Sequence, residues 1–266
     1  MANATELSPR FEVRQLEPGH VDWVKAIVAH ANIFQSPVWP KVHPVGKTKR
    51  TYDLFNAIDY LMRYQVESGC SYGVFDKEYQ FKRPESENIG GALYWDQSDV
   101  NATPEELLKQ MDFPLVSVAM ALDEAKPMDP TQLAPIFPVL PLFPVIGGQL
   151  EELDTRDPAS WQPKACGEVL SRNGTCTRAD YEGHGLMTKL ARWQMHEAAR
   201  QGFRAIKIEC FHDAVNHVWT NPPEPYKATL VSSLNMKDME EERDGKVVKP
   251  YQHLDQLATK VFVTLR

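Results

Sequence analysis

Long basic runs are missing from this sequence, and no apolar run approaches the roughly 20 residues that a bilayer-spanning helix needs. The formal net charge of −7 and a pI of about 5.6 go with the first absence. An acidic chain without clustered Lys and Arg is a poor nucleic-acid binder, because phosphate contacts demand such clusters. The second absence leaves no membrane span to expect. Cysteine is sparse, with four in 266 residues (Cys70, Cys166, Cys176 and Cys210) and no CxxC pair. Free thiols of an intracellular protein follow as the expectation. The start, MANATELSPRFEVRQ, lacks a basic segment leading into an apolar core, so a secretory leader is not expected and the cytoplasm is the expected compartment. The N-x-[ST] triplets at Asn3, Asn101 and Asn173 are then expected to stay unused. HExxH is absent. Asp213 and His217, four apart, would share a helix face as metal ligands, but no third ligand is implied and no metal is expected.

What is present is an ordinary globular balance, 42% apolar and 24% charged. The length suits one large domain or two small ones. FEVRQL alternates and reads as a strand over Phe11 to Leu16, and Val21, Val24, Ile27, Val28 and Ala31 then fall on one helix face. A second helix is expected over Thr51 to Glu67, stopped by Gly69. SYGVFDKEY and IGGALYWDQ read as a strand pair joined by a loose charged loop, KRPESEN. PEELLKQ suits a short helix, whereas Met111 to Leu122 fits a helix or a strand equally. The proline-dense run from Pro127 to Val145 excludes a regular helix or central strand. It reads either as an ordered loop packed over a cleft or as a surface excursion. Cys166 to Thr177 is a strand candidate interrupted at Asn173-Gly174, Leu186 to Arg200 an amphipathic helix ended by Gly202, and RAIKIECF a clean strand. A short helix from Asp213 must end before Pro222, and ATLVSSL and TKVFVTL offer further strands. The order gives a mixed α/β fold with a partly antiparallel sheet flanked by helices. The strand–helix–strand unit across residues 166–211 should be parallel and right-handed.

That unit contains RADYEGHGLMTKL, with two glycines at the head of a helix. A helix N-terminus carries unpaired N–H groups and partial positive charge, and glycine lets phosphate oxygens approach them. A GxG at this place is also a common strand-to-helix corner. The segment TRADYEGHGLMTKLARWQMHEAARQGFRAIKIEC resembles the core motif of the GNAT N-acyltransferase superfamily, in Tyr181, Gly183, Gly185, the helical run to Arg200, Gly202-Phe203 and the strand from Ala205. Of the family pattern Q/R-x-x-G-x-G/A only the central Gly185 matches, with Glu182 in place of Gln or Arg and Met187 in place of a small residue. The resemblance covers about 35 residues and implies one GNAT-like domain over 1–266, with an atypical insertion at about 98–163.

The resemblance further implies transfer of an acetyl or short acyl group from acyl-CoA to a small-molecule amine by direct attack, without a metal. A member retaining the coenzyme but lacking turnover is the alternative. On this pattern the coenzyme's diphosphate meets Glu182, Gly183, His184, Gly185, Leu186, Met187 and Thr188. The main chain of Thr175, Cys176 and Thr177 polarises the thioester carbonyl, and Asn216 helps to hold the pantetheine arm. Glu168 and Glu209 are candidate bases, burial being able to raise a carboxyl pKa towards the operating range. His212 titrates near neutrality and is a third candidate. Tyr226 is the candidate acid for the leaving thiolate. For each of these the plain alternative is a solvated or structural side chain. Cys176 beside the turn reads as a buried thiol rather than a nucleophile.

Overall fold

The computed structural model describes residues 7–126 and 128–266; the Asn3 triplet and Pro127, at the head of the proline-dense run, lie outside the described residues. Seven strands form the main sheet: β1 (Phe11–Gln15), β2 (Tyr72–Asp76), β3 (Leu115–Asp123), β4 (Val169–Thr177), β5 (Ala205–Cys210), β6 (Lys227–Asn235) and β7 (Leu257–Thr264). Their spatial order is β1-β2-β3-β4-β5-β7-β6. Every neighbouring pair is antiparallel except β4 and β5, which run parallel as the strand–helix–strand reading requires.

Helices α1 (Val21–His30), α2 (Lys47–Ala57), α3 (Asp59–Glu67) and α4 (Leu142–Glu152) cover one face, where Ile27, Leu54, Leu61 and Ile146 pack with Val118 and Met120 of β3. Helices α5 (Leu186–Gln201) and α6 (Asp213–Thr220) cover the other, Met195 and Trp219 meeting Leu170, Ile206 and Ile208. Helix α5 is bounded by two left-handed glycines, Gly185 (φ +67°) and Gly202 (φ +101°). Its buried stripe Leu186, Leu190, Ala191, Gln194, Met195 and Ala198 keeps the helical period.

Several sequence expectations change. The helix expected over Thr51 to Glu67 is two helices, parted at Ile58 (φ −86°, ψ 5°). SYGVFDKEY supplies β2, but the strand pair with a loose loop does not form: KRPESEN contributes to a helix, Pro84–Ile89, and of IGGALYWDQ only Ala92–Leu93 pairs, with Met111–Asp112. Proline at the first helical position costs no hydrogen bond, which is why Pro84 starts that helix. The ambiguous run resolves as β3, all nine residues buried; burial on both faces erases the period-2 signal. β3 is a central strand inside the segment read as an insertion, so within 98–163 the sheet itself claims Leu115–Asp123. Part of the proline-dense run is helical after all: a 3-10 stretch, Pro130–Ile136, leads to α4, whose Pro144 lies in the first turn, where an N–H would have no partner anyway.

One buried charge cluster ties α4 to the sheet. Lys260 of β7 is 1% exposed and donates to Glu151 and to Asp154 at 2.8 Å. Asp154 is itself gripped by Arg156 at 2.7 and 2.9 Å.

Candidate active cleft

β4 and β5 pair only from Val169↔Ala205 to Arg172↔Ile208. Beyond that, β4 stays with β3 as far as Thr177, and β5 stays with β7 as far as Cys210. The register of β4 shifts between Ala121↔Arg172 and Ala119↔Thr175, so Asn173 and Gly174 stand opposite Met120 alone. Such a bulge bends its strand, and Gly174 (φ +79°) supplies the left-handed backbone for it. The strands part there, and a cavity of about 850 Å³ opens in the gap.

The gap exposes main chain. Arg178 N–H donates to Val116 C=O at 2.9 Å. Bonded and non-bonded pairs alternate along an antiparallel ladder. Cys176, opposite Val118, is therefore bonded to β3, whereas Thr175 and Thr177 turn their N–H and C=O groups into the gap. Consistently, the Thr177 carbonyl accepts from Gln35 Nε2 at 3.3 Å.

At one end of the cavity lies the glycine turn. Gly183 (φ +82°) and Gly185 (φ +67°) both need the left-handed region. A Cβ at Gly183 would meet nothing within 4 Å, and one at Gly185 only Lys189 Cε at 3.9 Å, so the corner is open. Among the described residues no side chain caps α5, leaving the N–H groups of Leu186, Met187 and Thr188 aimed at that space. The Glu182 carboxylate accepts a hydrogen bond from Gln35 Nε2 at the cavity edge. At the other end the walls are apolar: Ile58, Leu61 and Met62 on one side, Ile136, Leu140 and Phe143 from the proline-dense run on the other. That run is thus packed over the cleft.

No known family profile matches the chain, and no curated protein sequence does. Solved structures do match. The C-terminal condensation domain of Ebony, in complex with beta-alanyl-dopamine, gives a TM-score of 0.61 at 12% identity, over 97% of this chain and 99% of that one. Arylalkylamine N-acetyltransferase 2 from Aedes aegypti gives 0.53 at 9%, over 96% and 99%. Agmatine N-acetyltransferase, as the apo form of a mutant, gives 0.51 at 11%, over 96% and 98%. The chain has the GNAT fold.

The GNAT fold brings together some of the residues read from the sequence and separates others. Thr175, Cys176, Thr177, Glu182, Gly183, Gly185, Leu186, Met187 and Thr188 line the cavity, and so do Glu209 and His212. Glu209 follows directly on Ile208, where the strands part. Burial raises its pKa, opposed by Lys207 and Lys260. His212 caps α6, its Nδ1 accepting from Ala214 N–H at 3.0 Å, which leaves Nε2 to carry the proton of the neutral ring. Cys176 is buried and its thiol pushed up to about 12 by desolvation.

Four of the residues are not at the cavity. Glu168 stands one residue before β4, where it accepts from Lys164 N–H at 2.9 Å and pairs with Arg204 at 3.5 Å; the Lys164 bond holds its pKa down. His184 turns its ring to Phe11, 5.7 Å between centroids. Asn216 Oδ1 accepts from Thr259 Oγ1 at 2.9 Å. Tyr226 bonds His196 Nδ1 at 2.9 Å on the α5 side. Asp213 and His217 do not converge on a metal either: Asp213 accepts from Gln256 at 2.8 Å, and among the described residues no group of three or more His, Cys, Asp or Glu is placed to hold one.

Sequence reasoning passed over Glu124, Lys207 and Arg172, all of which line the cavity. Lys207 and Glu124 form an ion pair on its wall. The alternation of RAIKIECF puts Lys207 on the face of Glu209, a signal that the strand pattern itself carries.

Proposed function

We propose that this chain is an acyl-CoA-dependent N-acyltransferase, one catalytic domain acting on a small amine with an apolar body. The observation that carries it is the continuity of one cavity from an open glycine turn, past the main chain of Thr175 and Thr177, to a half-buried carboxylate at an apolar chamber. The helix-α5 amides suit a diphosphate, and the Lys189 side chain passes beside Gly185. The gap-facing N–H and C=O groups of Thr175 and the N–H of Thr177 suit the amides of a pantetheine arm. Glu209 then takes the proton of the attacking amine, directly or through water, and its raised pKa suits that work. Glu182 is the misfit beside a diphosphate; its bond to Gln35 engages the carboxylate at the cavity edge. An amine with an apolar body agrees with the arylalkylamine that one neighbour's name states, and both neighbours' names state a small amine. Residues 128–152 furnish the acceptor wall.

Calorimetry with acetyl-CoA should give a saturable one-site heat. Gly185→Trp should weaken it about 100-fold or more, because the indole fills the space over the amides, while the left-handed backbone costs about 1–3 kcal/mol of stability. Absence of any heat with the parent protein refutes the assignment. The position of Tyr226 outside the cavity favours a second reading, a binding protein without turnover. Release of free thiol from acetyl-CoA with a panel of apolar amines separates the two, since a mere binder releases none.

A further inference from the structure

Arg172 is an arginine that the fold buries without a counter-ion. It is 3% exposed and makes no ion pair among the described residues. Its Nη1 donates to the carbonyls of Met120 at 2.5 Å and Gly174 at 3.2 Å, and its Nη2 to Thr175 Oγ1 at 2.6 Å. Nε is buried with no partner among the described residues, and the guanidinium stands 5.6 Å from the Trp219 ring centroid. Removing a lone cation from water is expensive, and folds normally pair it. This one stands in the cavity wall, at the last paired rung of β4 and β5, with its donors on the two residues that form the lip of the gap.

We propose that Arg172 supplies the positive field that carries the departing thiolate of the coenzyme, in place of a phenolic acid. The inference rests on the acyltransferase reading and assigns its missing half. In the transfer step the amine nitrogen bonds to the acyl carbon, the C–S bond breaks, and sulfur leaves with that electron pair. The amine proton passes to Glu209. Something must then accommodate charge on sulfur. Tyr226 is engaged with His196 away from the cavity, and Tyr181, the tyrosine that does line it, donates to Asp76 at 2.7 Å. A fixed cation behind a dry wall stabilises an anion more strongly than the same charge in water. Arg172 also holds Gly174 and Thr175 in the bulged conformation, so charge and gap come from one side chain. Burial lowers its own pKa to about 9, which leaves it protonated at neutral pH. Cys176 and Cys210 are the titratable groups that face it, and burial pushes both thiols up to about 12, so they stay neutral there. Glu209 flanks the gap from the opposite face of β5.

The test is a spectroscopic pH titration of bound coenzyme A at 240 nm, where thiolate absorbs, with the desulfo-CoA complex as blank to cancel the protein's own thiols. In the parent protein the bound thiol should ionise about one pH unit or more below free CoA, a roughly tenfold change in acidity. Arg172→Lys should keep most of that shift and Arg172→Gln should lose it. Ionisation of the bound thiol at or above the free value in the parent protein overturns the proposal, whether or not the variants fold. A shift that survives in a folded Arg172→Gln protein also overturns it and assigns the field to helix α5. Calorimetry precedes the titration: if CoA gives no heat, the acyltransferase reading itself is what fails.

Discussion

A Glu209→Gln protein should turn over about 10²–10⁴-fold more slowly than its parent, the usual contribution of a positioned base. Its affinity for acetyl-CoA should be unchanged, because the amide keeps the shape of the carboxylate at the far side of the gap. The pH profile carries a second mark. Burial raises the Glu209 pKa, so kcat/KM should climb with pH through a midpoint above that of a solvated glutamate, and the substitution should remove that limb. The charges facing this carboxylate are Lys207 beside it on β5, Lys260 across on β7, and Glu151 and Glu124 behind them. The raised pKa also has a sign for stability. The folded state holds a proton that the unfolded chain has released, so the contribution is present at low pH and is lost as pH rises through the folded value. Glu209→Gln should therefore be no less stable than its parent at neutral pH. Rate within a factor of three of the parent would remove Glu209 from the mechanism.

Asp154→Ala should cost about 3–5 kcal/mol of stability, the expected price of orphaning a buried charge. Its side chain is 3% exposed and Lys260's is 1%, so Lys260 would be left with Glu151 alone, which is 55% exposed. The hydrogen bonds from Arg156, aided by those from Lys260, hold Asp154 well below the usual carboxylate range. Its stabilisation is present above the unfolded carboxylate value, about 3.9, and is lost as pH falls through the depressed folded value. Urea unfolding at pH 7 measures the difference, and a loss below about 1 kcal/mol would show that solvent reaches Lys260. The double variant Asp154→Leu with Lys260→Met should recover much of the loss, since an apolar pair needs no counter-ion.

The glycine turn could be read from the chain because its requirement is local: left-handed backbone at Gly183 and Gly185, and a helix that starts just after. The strand–helix–strand unit was legible for the same reason. β3 was not, because burial on both faces leaves no alternation to see. Helix α4 was hidden by counting Pro144 as a breaker without knowing that it falls in a first turn. Glu168 and Glu209 look equivalent in sequence, each read as a carboxylate on one of the two parallel strands. They differ in where the strands part, and Glu168 stands before the paired segment while Glu209 stands just after it. Arg172 reads as one polar residue in an alternating strand. That it lacks a counter-ion among the described residues is a property of everything packed around it, from Met120 to Trp219.

The two residues at Asn173 and Gly174 that β3 cannot match have a consequence for dynamics. By refusing to zip against β5, the chain leaves a gap in its own ladder, where the extended arm proposed above would fill in as a short extra strand. Amide protons of Thr175 and Thr177 should then exchange quickly with solvent in the free protein and slowly once that arm is seated.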